Sequence, residues 1–191
     1  RWFEVETGSV VHTANAWEEG DEVVLQASRS KTSDIASAGL AAENLEETQG
    51  QLYEWRINLI SGAVTERTLS AVRCDFTRVN DSYVCQKTRY VYGAVFNPVR
   101  PFSFDGVMKF DNETQTTTKF DYGPKRFGGE AVFAPKVGAT TEDDGYLICF
   151  VQDEEVGQSE CLILDAKNIV AGPVASILVP YRVPYGFHAG W

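Results

Sequence analysis

Histidine is scarce in this chain, with two in 191 residues, His12 and His188 at opposite ends. That excludes a metal cage of three or more imidazoles supplied by this chain alone. Cysteine is sparse too: Cys74, Cys85, Cys149 and Cys161 have no Cys-x-x-Cys spacing, which argues against a zinc cluster or a thioredoxin-type site. Free thiols are expected instead. Basic residues are the minority, 17 Lys and Arg against 27 Asp and Glu, for a formal net charge of -10. This excludes nucleic acid and disfavours an anionic membrane as partner, because phosphate binding needs clustered Lys and Arg. No apolar run approaches the roughly 18 residues of a membrane span. An initiator methionine and a leader are also missing, and Trp191 falls inside a motif expected to continue. The chain therefore reads as a fragment. An intracellular location is expected, with cytoplasm and plastid undecided because the N-terminus is missing. Peripheral membrane contact by the full-length parent stays open.

What is present is ordinary for a globular protein: 43% hydrophobic and 23% charged residues. Short β-rich runs dominate, at Glu22–Ser28, Leu52–Leu59, Val64–Leu69, Arg89–Phe96, Gly106–Asp111, Thr116–Tyr122, Gly129–Phe133, Tyr146–Gln152, Ser159–Asp165 and Ala171–Val179. Ile60-Ser61-Gly62-Ala63 suits a tight hairpin turn. Asn97-Pro98-Val99-Arg100-Pro101 reads as an inter-strand loop. The acidic clusters Glu142-Asp143-Asp144-Gly145 and Asp153-Glu154-Glu155-Val156-Gly157 read as solvated hairpin loops. Only Ala36–Thr48 has helical composition, for one short helix or a loop insertion. Tyr53, Trp55, Tyr90, Tyr92, Phe110 and Phe120 are expected in the strand core. Many short strands with frequent turns fit a sandwich, a barrel or a propeller, and periodicity does not choose among them. A single domain over 1–191 with no internal boundary is expected. Asn80-Asp81-Ser82 and Asn112-Glu113-Thr114 match glycosylation acceptors in pattern only.

Taken singly, the two histidines read as unrelated residues, one on a strand and one in a loop. Their flanks say more. His12-x-x-Asn15-Ala16-Trp17-Glu18-Glu19 and Arg182-Val183-Pro184-Tyr185-Gly186-Phe187-His188 resemble the third and fourth histidine motifs of the carotenoid cleavage oxygenases. Lys87-Thr88-Arg89-Tyr90-Val91-Tyr92, Arg126-Phe127-Gly128-Gly129-Glu130 and Glu142-Asp143-Asp144-Gly145-Tyr146-Leu147-Ile148 resemble that family in the same order. The wording is similar to the plant branch.

The resemblance implies an all-β fold: about the last three blades of a seven-bladed β-propeller, with strands joined by hairpin loops and at most one short helix. It further implies a non-haem Fe(II) centre held by four histidines, with O₂ as co-substrate. The activity implied for the parent is oxidative cleavage of a conjugated C=C bond in a carotenoid, apocarotenoid or other conjugated apolar small molecule, giving two carbonyl products. His12 and His188 match two of the four ligands, and the other two would precede Arg1. Glu130 matches the acid supporting the last histidine, with Gly128 and Gly129 letting backbone pass close to the axis. Asp75 falls where the family commonly has Glu supporting the third histidine, and its shorter side chain puts direct contact with His12 in doubt. Thr77 stands for a frequent proline. Cys85 stands for a frequent glycine and strains the turn if that position needs a positive φ. Asn15 is expected to make backbone hydrogen bonds and Trp17 to pack between blades. Two alternatives remain: a stilbene-cleaving dioxygenase of the same fold, and a non-catalytic binder of apolar ligands. Serine-hydrolase chemistry lacks a nucleophile elbow.

Overall fold

The computed structural model describes residues 1–32 and 45–191. Among these, twelve strands form one antiparallel sheet, ten along a continuous path and two branching from it. They are β1 (Ser9–Glu19), β2 (Glu22–Ser30), β3 (Gln51–Asn58), β4 (Val64–Arg78), β5 (Tyr90–Phe96) and β6 (Phe104–Asp111). These are followed by β7 (Thr116–Asp121), β8 (Arg126–Gly128), β9 (Val132–Pro135), β10 (Gly145–Asp153), β11 (Gln158–Asp165) and β12 (Pro173–Val179). The helix expected at Ala36–Thr48 is described only as α1 (Leu45–Thr48); residues 36–44 lie outside the described residues.

The pairing divides into three meanders. β1 to β4 form the first. The end of β4 then leads a second, with β5, β6 and β7. β8 and β9 both pair with β10, and β11 and β12 complete the third. This is the four-stranded blade pattern of a propeller. β4 was expected to stop at Leu69. It runs on to Arg78 because its second half pairs with β5 after its first half has finished with β3. Gly129–Phe133 is not one strand: the chain leaves the ladder after Gly128 and rejoins it at Val132, freeing Glu130 to point elsewhere.

The alternation in each strand supplies the core. Val107, Leu147, Cys149, Val151, Leu162 and Leu164 pack with Tyr92, Tyr122 and Phe133 between the second and third meanders. Leu52, Cys74, Val91, Met108 and Phe110 join the first to the second. Tyr53, Trp55, Tyr92 and Phe110 are buried as expected, with Tyr90 and Phe120 packed at the margin. Burial pushes the thiols of Cys74 and Cys149 up to about 12, and all four cysteines are free.

The Glu142-Asp143-Asp144 cluster is not the solvated loop expected from its composition. Glu142 accepts the backbone N–H groups of Arg89 and Tyr90 at 2.9 and 2.8 Å. Asp143 meets the buried Lys109 ammonium at 2.8 Å, and Asp144 pairs with Lys136 and Lys167. The cluster fastens the third meander to the second. Burial raises the Glu142 carboxyl above its ordinary range despite those two hydrogen bonds. Asp153–Gly157, by contrast, is a hairpin turn in which Asp153 caps the N–H groups of Glu155 and Val156. Both glycosylation patterns are spent internally: Asn80 donates to the Glu142 carbonyl and Asn112 to Gln26 and Thr88.

Candidate metal centre

β1 places His12 on the leading strand of the first meander, half-buried. The leading strand of the second, the end of β4, brings Asp75 beside it: His12 Nδ1 lies 3.0 Å from Asp75 Oδ1. The doubt over the shorter acid is thereby resolved, since Asp75 reaches the ring directly. A carboxylate oxygen accepts, so Nδ1–H donates and the ring is fixed as the Nδ1–H tautomer.

His188 follows β12 on irregular backbone, with its side chain 65% exposed. Its Nδ1 lies 3.3 Å from Glu130 Oε2, and the same oxygen accepts the Ala189 N–H at 2.7 Å. Glu130 follows β8, the leading strand of the third meander. Gly129 explains how the terminal segment comes so near: a Cβ there would stand 2.5 Å from the Gly186 carbonyl oxygen. Glycine is required for that approach, as expected from the sequence.

The two imidazoles, 176 positions apart in sequence (188 less 12), meet with ring centroids 4.9 Å apart at an interplanar angle of 78°. Phe76 packs on both, at 4.7 Å from His12 and 5.3 Å from His188. Its φ is 49°, in the left-handed region that a bulky residue rarely occupies. The cause is a bulge. Asp75 opposes Ala94 while Arg78 opposes Tyr92, so three steps along β4 match two along β5. In a regular strand residues three apart point to opposite faces. The extra residue cancels that alternation, and both Asp75 and Arg78 serve the same site. Thr77, inside the bulge, is buried.

A cavity of about 250 Å³ opens over His12 and Asp75, walled by Phe76, Phe96, Phe104 and Phe187 among others. Its apolar walls suit an apolar ligand. The expected supports also stand in place: Asn15 donates to the Gln86 carbonyl at 2.8 Å and accepts from Cys85 N–H at 3.0 Å, and Trp17 is buried. Cys85 has φ 63°, so the turn does need the conformation that glycine adopts freely.

The donor set fits a metal. Each Nδ1 faces a carboxylate, leaving each Nε2 as the coordinating atom, and imidazole suits iron. Among the described residues no group of three or more His, Cys, Asp or Glu forms a metal cluster.

The family model described as RPE65, retinal pigment epithelial membrane protein, matches residues 1–191. The chain belongs to that family. Its relatives include a carotenoid 9,10(9',10')-cleavage dioxygenase of Crocus sativus, 44% identical over 99% of this chain and 37% of that protein. The carotenoid 9,10(9',10')-cleavage dioxygenase 1 of Arabidopsis thaliana is 41% identical over 99% of this chain and 37% of its own length. Among solved structures, cobalt-substituted Synechocystis ACO, an apocarotenoid oxygenase, superposes with a TM-score of 0.89 at 29% identity, over 99% of this chain and 40% of that one. The chain thus spans less than half the length of these relatives. The all-β propeller expectation and the likeness to the plant branch are both borne out.

Sequence reasoning missed Phe76, Arg78 and the cavity phenylalanines. Phe76 and Arg78 sit in the very stretch that carries Asp75, but a bulge leaves no mark in residue order. Arg78 Nη1 meets Glu130 Oε1 at 3.0 Å across 52 positions of sequence.

Proposed function

We propose that this chain is the C-terminal, metal-binding part of a longer non-haem Fe(II) dioxygenase that cleaves a conjugated C=C bond of a carotenoid or apocarotenoid to carbonyl products. One observation carries the reading: two histidines from opposite ends meet beside an apolar cavity, each with Nδ1 on its own carboxylate. His12 and His188 would hold the metal through Nε2, and two further ligands would come from chain outside these residues. When bound, Fe(II) supplies activation of O₂ toward the double bond. The residues present do the rest. Asp75 and Glu130 keep both rings in one tautomer, and Phe76 packs against both rings. The phenylalanine walls exclude water and bind the polyene by apolar contact.

The names of the relatives support the substrate class, and the coverage supports the longer polypeptide. The unbroken pairing order supports treating 1–191 as one unit without an internal boundary. Four free thiols support a reducing, intracellular location, cytoplasm or plastid. Among the described residues no helix is long and apolar enough to cross a membrane. Peripheral membrane contact and the exclusion of nucleic acid stay part of the proposal, the latter supported by the net charge of -10.

The test is incubation of the longer protein with carotenoids, apocarotenoids and stilbenes, followed by mass spectrometry of the products. Aldehydes or ketones from the polyenes are expected. Products from stilbenes alone would replace the substrate class, and absence of carbonyl products from every class would overturn the enzyme reading in favour of a binder.

A further inference from the structure

We propose that Arg78 is a positioning residue for His188, acting through Glu130. The two oxygens of Glu130 have separate duties: Oε1 accepts from Arg78 Nη1 at 3.0 Å, while Oε2 accepts from His188 Nδ1 and Ala189 N–H. The Glu130 side chain is 3% exposed, so Oε1 depends on a protein donor, and Arg78 is the one that meets it. Arg78 therefore sets the plane of the carboxylate, and that plane aims Oε2 at the ring.

The other contact of Arg78 does not compete. Asp81 lies at 3.4 Å and is 71% exposed, an arrangement that holds an arginine weakly. The β4 bulge is what turns Arg78 toward Glu130, so one four-residue stretch, Asp75 to Arg78, orients both imidazoles. It holds His12 through Asp75 and His188 at one remove. Orientation at one remove matters more for His188, whose ring sits on irregular backbone and is mostly exposed.

The inference rests on reading His188 as a ligand, yet it can be tested without metal. In the metal-free longer protein, with the His12 and His188 signals assigned by substitution, long-range ¹H–¹⁵N correlation of the imidazoles at about pH 8.5, where ordinary histidines are neutral, reports each tautomer. Both rings of the unaltered chain are expected as Nδ1–H. In Arg78→Met, His188 should fall to parity between its tautomers or below, while His12, held by Asp75, keeps its state. Arg78→Lys, which restores one charged donor, should recover part of the His188 preference. An unchanged His188 in Arg78→Met would overturn the proposal. So would an equal change at both rings in both variants, which would make Arg78 a general prop of the bulge. Failure of the iron reading would appear elsewhere, as a longer protein that binds no metal while both tautomers remain fixed.

Discussion

The two imidazoles are held by different means. His12 lies near the start of an eleven-residue strand, at an irregularity bracketed by the Val10–Arg29 and Thr13–Ala27 pairs with β2, so its backbone is held on both sides and a single carboxylate suffices to fix its ring. His188 has no ladder. Its carboxylate must hold ring and backbone together through Nδ1 and the Ala189 N–H. A clamp upstream helps: Arg100 pairs with Glu154 at 2.9 Å and stacks on Phe127 and Tyr185, and Tyr185 hydrogen-bonds Glu154. A ring on a strand gets its position from secondary structure. A ring on a tail needs side chains to supply the same constraint.

The largest effects should come from removing a ring. In the longer protein, His12→Ala and His188→Ala should each abolish iron retention and turnover, measured by metal analysis and product formation. The isolated 191-residue chain, with the same two rings alone, should retain no stoichiometric iron and cleave no polyene. One iron per isolated chain would show that two histidines suffice.

Gly129→Ala sharpens the contrast, because it touches only the tail. The added methyl must displace the Gly186 backbone, so His188 should lose its contact with Glu130 while His12 keeps Asp75. Metal affinity should fall, with little change in the far-ultraviolet signature of the sheet. Retention of full affinity would mean that the tail finds a second path.

Next come the carboxylates. Glu130→Gln should weaken metal binding by roughly 10–100-fold, the usual cost of losing a ligand's orienting partner. Asp75→Asn should have a smaller effect at His12, because the strand still holds the backbone. The two titrations are compared directly, and a larger loss from Asp75→Asn would reverse the ranking of strand and tail.

Two carboxyls outside the site carry a prediction for acid. Hydrogen bonds from Lys87 and Arg56 hold Glu19 at about 2, against an ordinary value of 4.5. Asp111, although burial opposes ionisation, is drawn to about 2 by Arg89 and by the N–H groups of Glu113 and Thr114. A carboxyl lowered in the folded state adds stability that is complete above its unfolded value and is lost as pH falls through the folded one. Denaturant midpoints should therefore drop between about pH 4.5 and pH 2, and Glu19→Gln should flatten part of that slope. The smallest change is a gain: Cys85→Gly should stabilise the fold by about 0.5–1 kcal/mol by relieving a positive φ, less the added freedom of the unfolded chain. A lower melting temperature would show that the Cys85 side chain contributes more than its backbone costs.

Residue order alone carried the all-β class, most strand positions and the chemical words: His12, His188, Glu130 and the paired glycines. Those signals are local, since alternation, turn residues and short motifs are written in consecutive positions. Tertiary structure alone decided that Asp75 reaches His12, that Glu142 to Asp144 join two meanders, and that Arg78 backs Glu130. Each of these contacts spans tens of residues, 63 for Asp75 and His12 and 52 for Arg78 and Glu130. The bulge at Phe76 lies between the two kinds of information. Its residues are ordinary, and only the register of β4 against β5 makes one of them surplus, turning two side chains that a regular strand would send apart toward the same pair of rings.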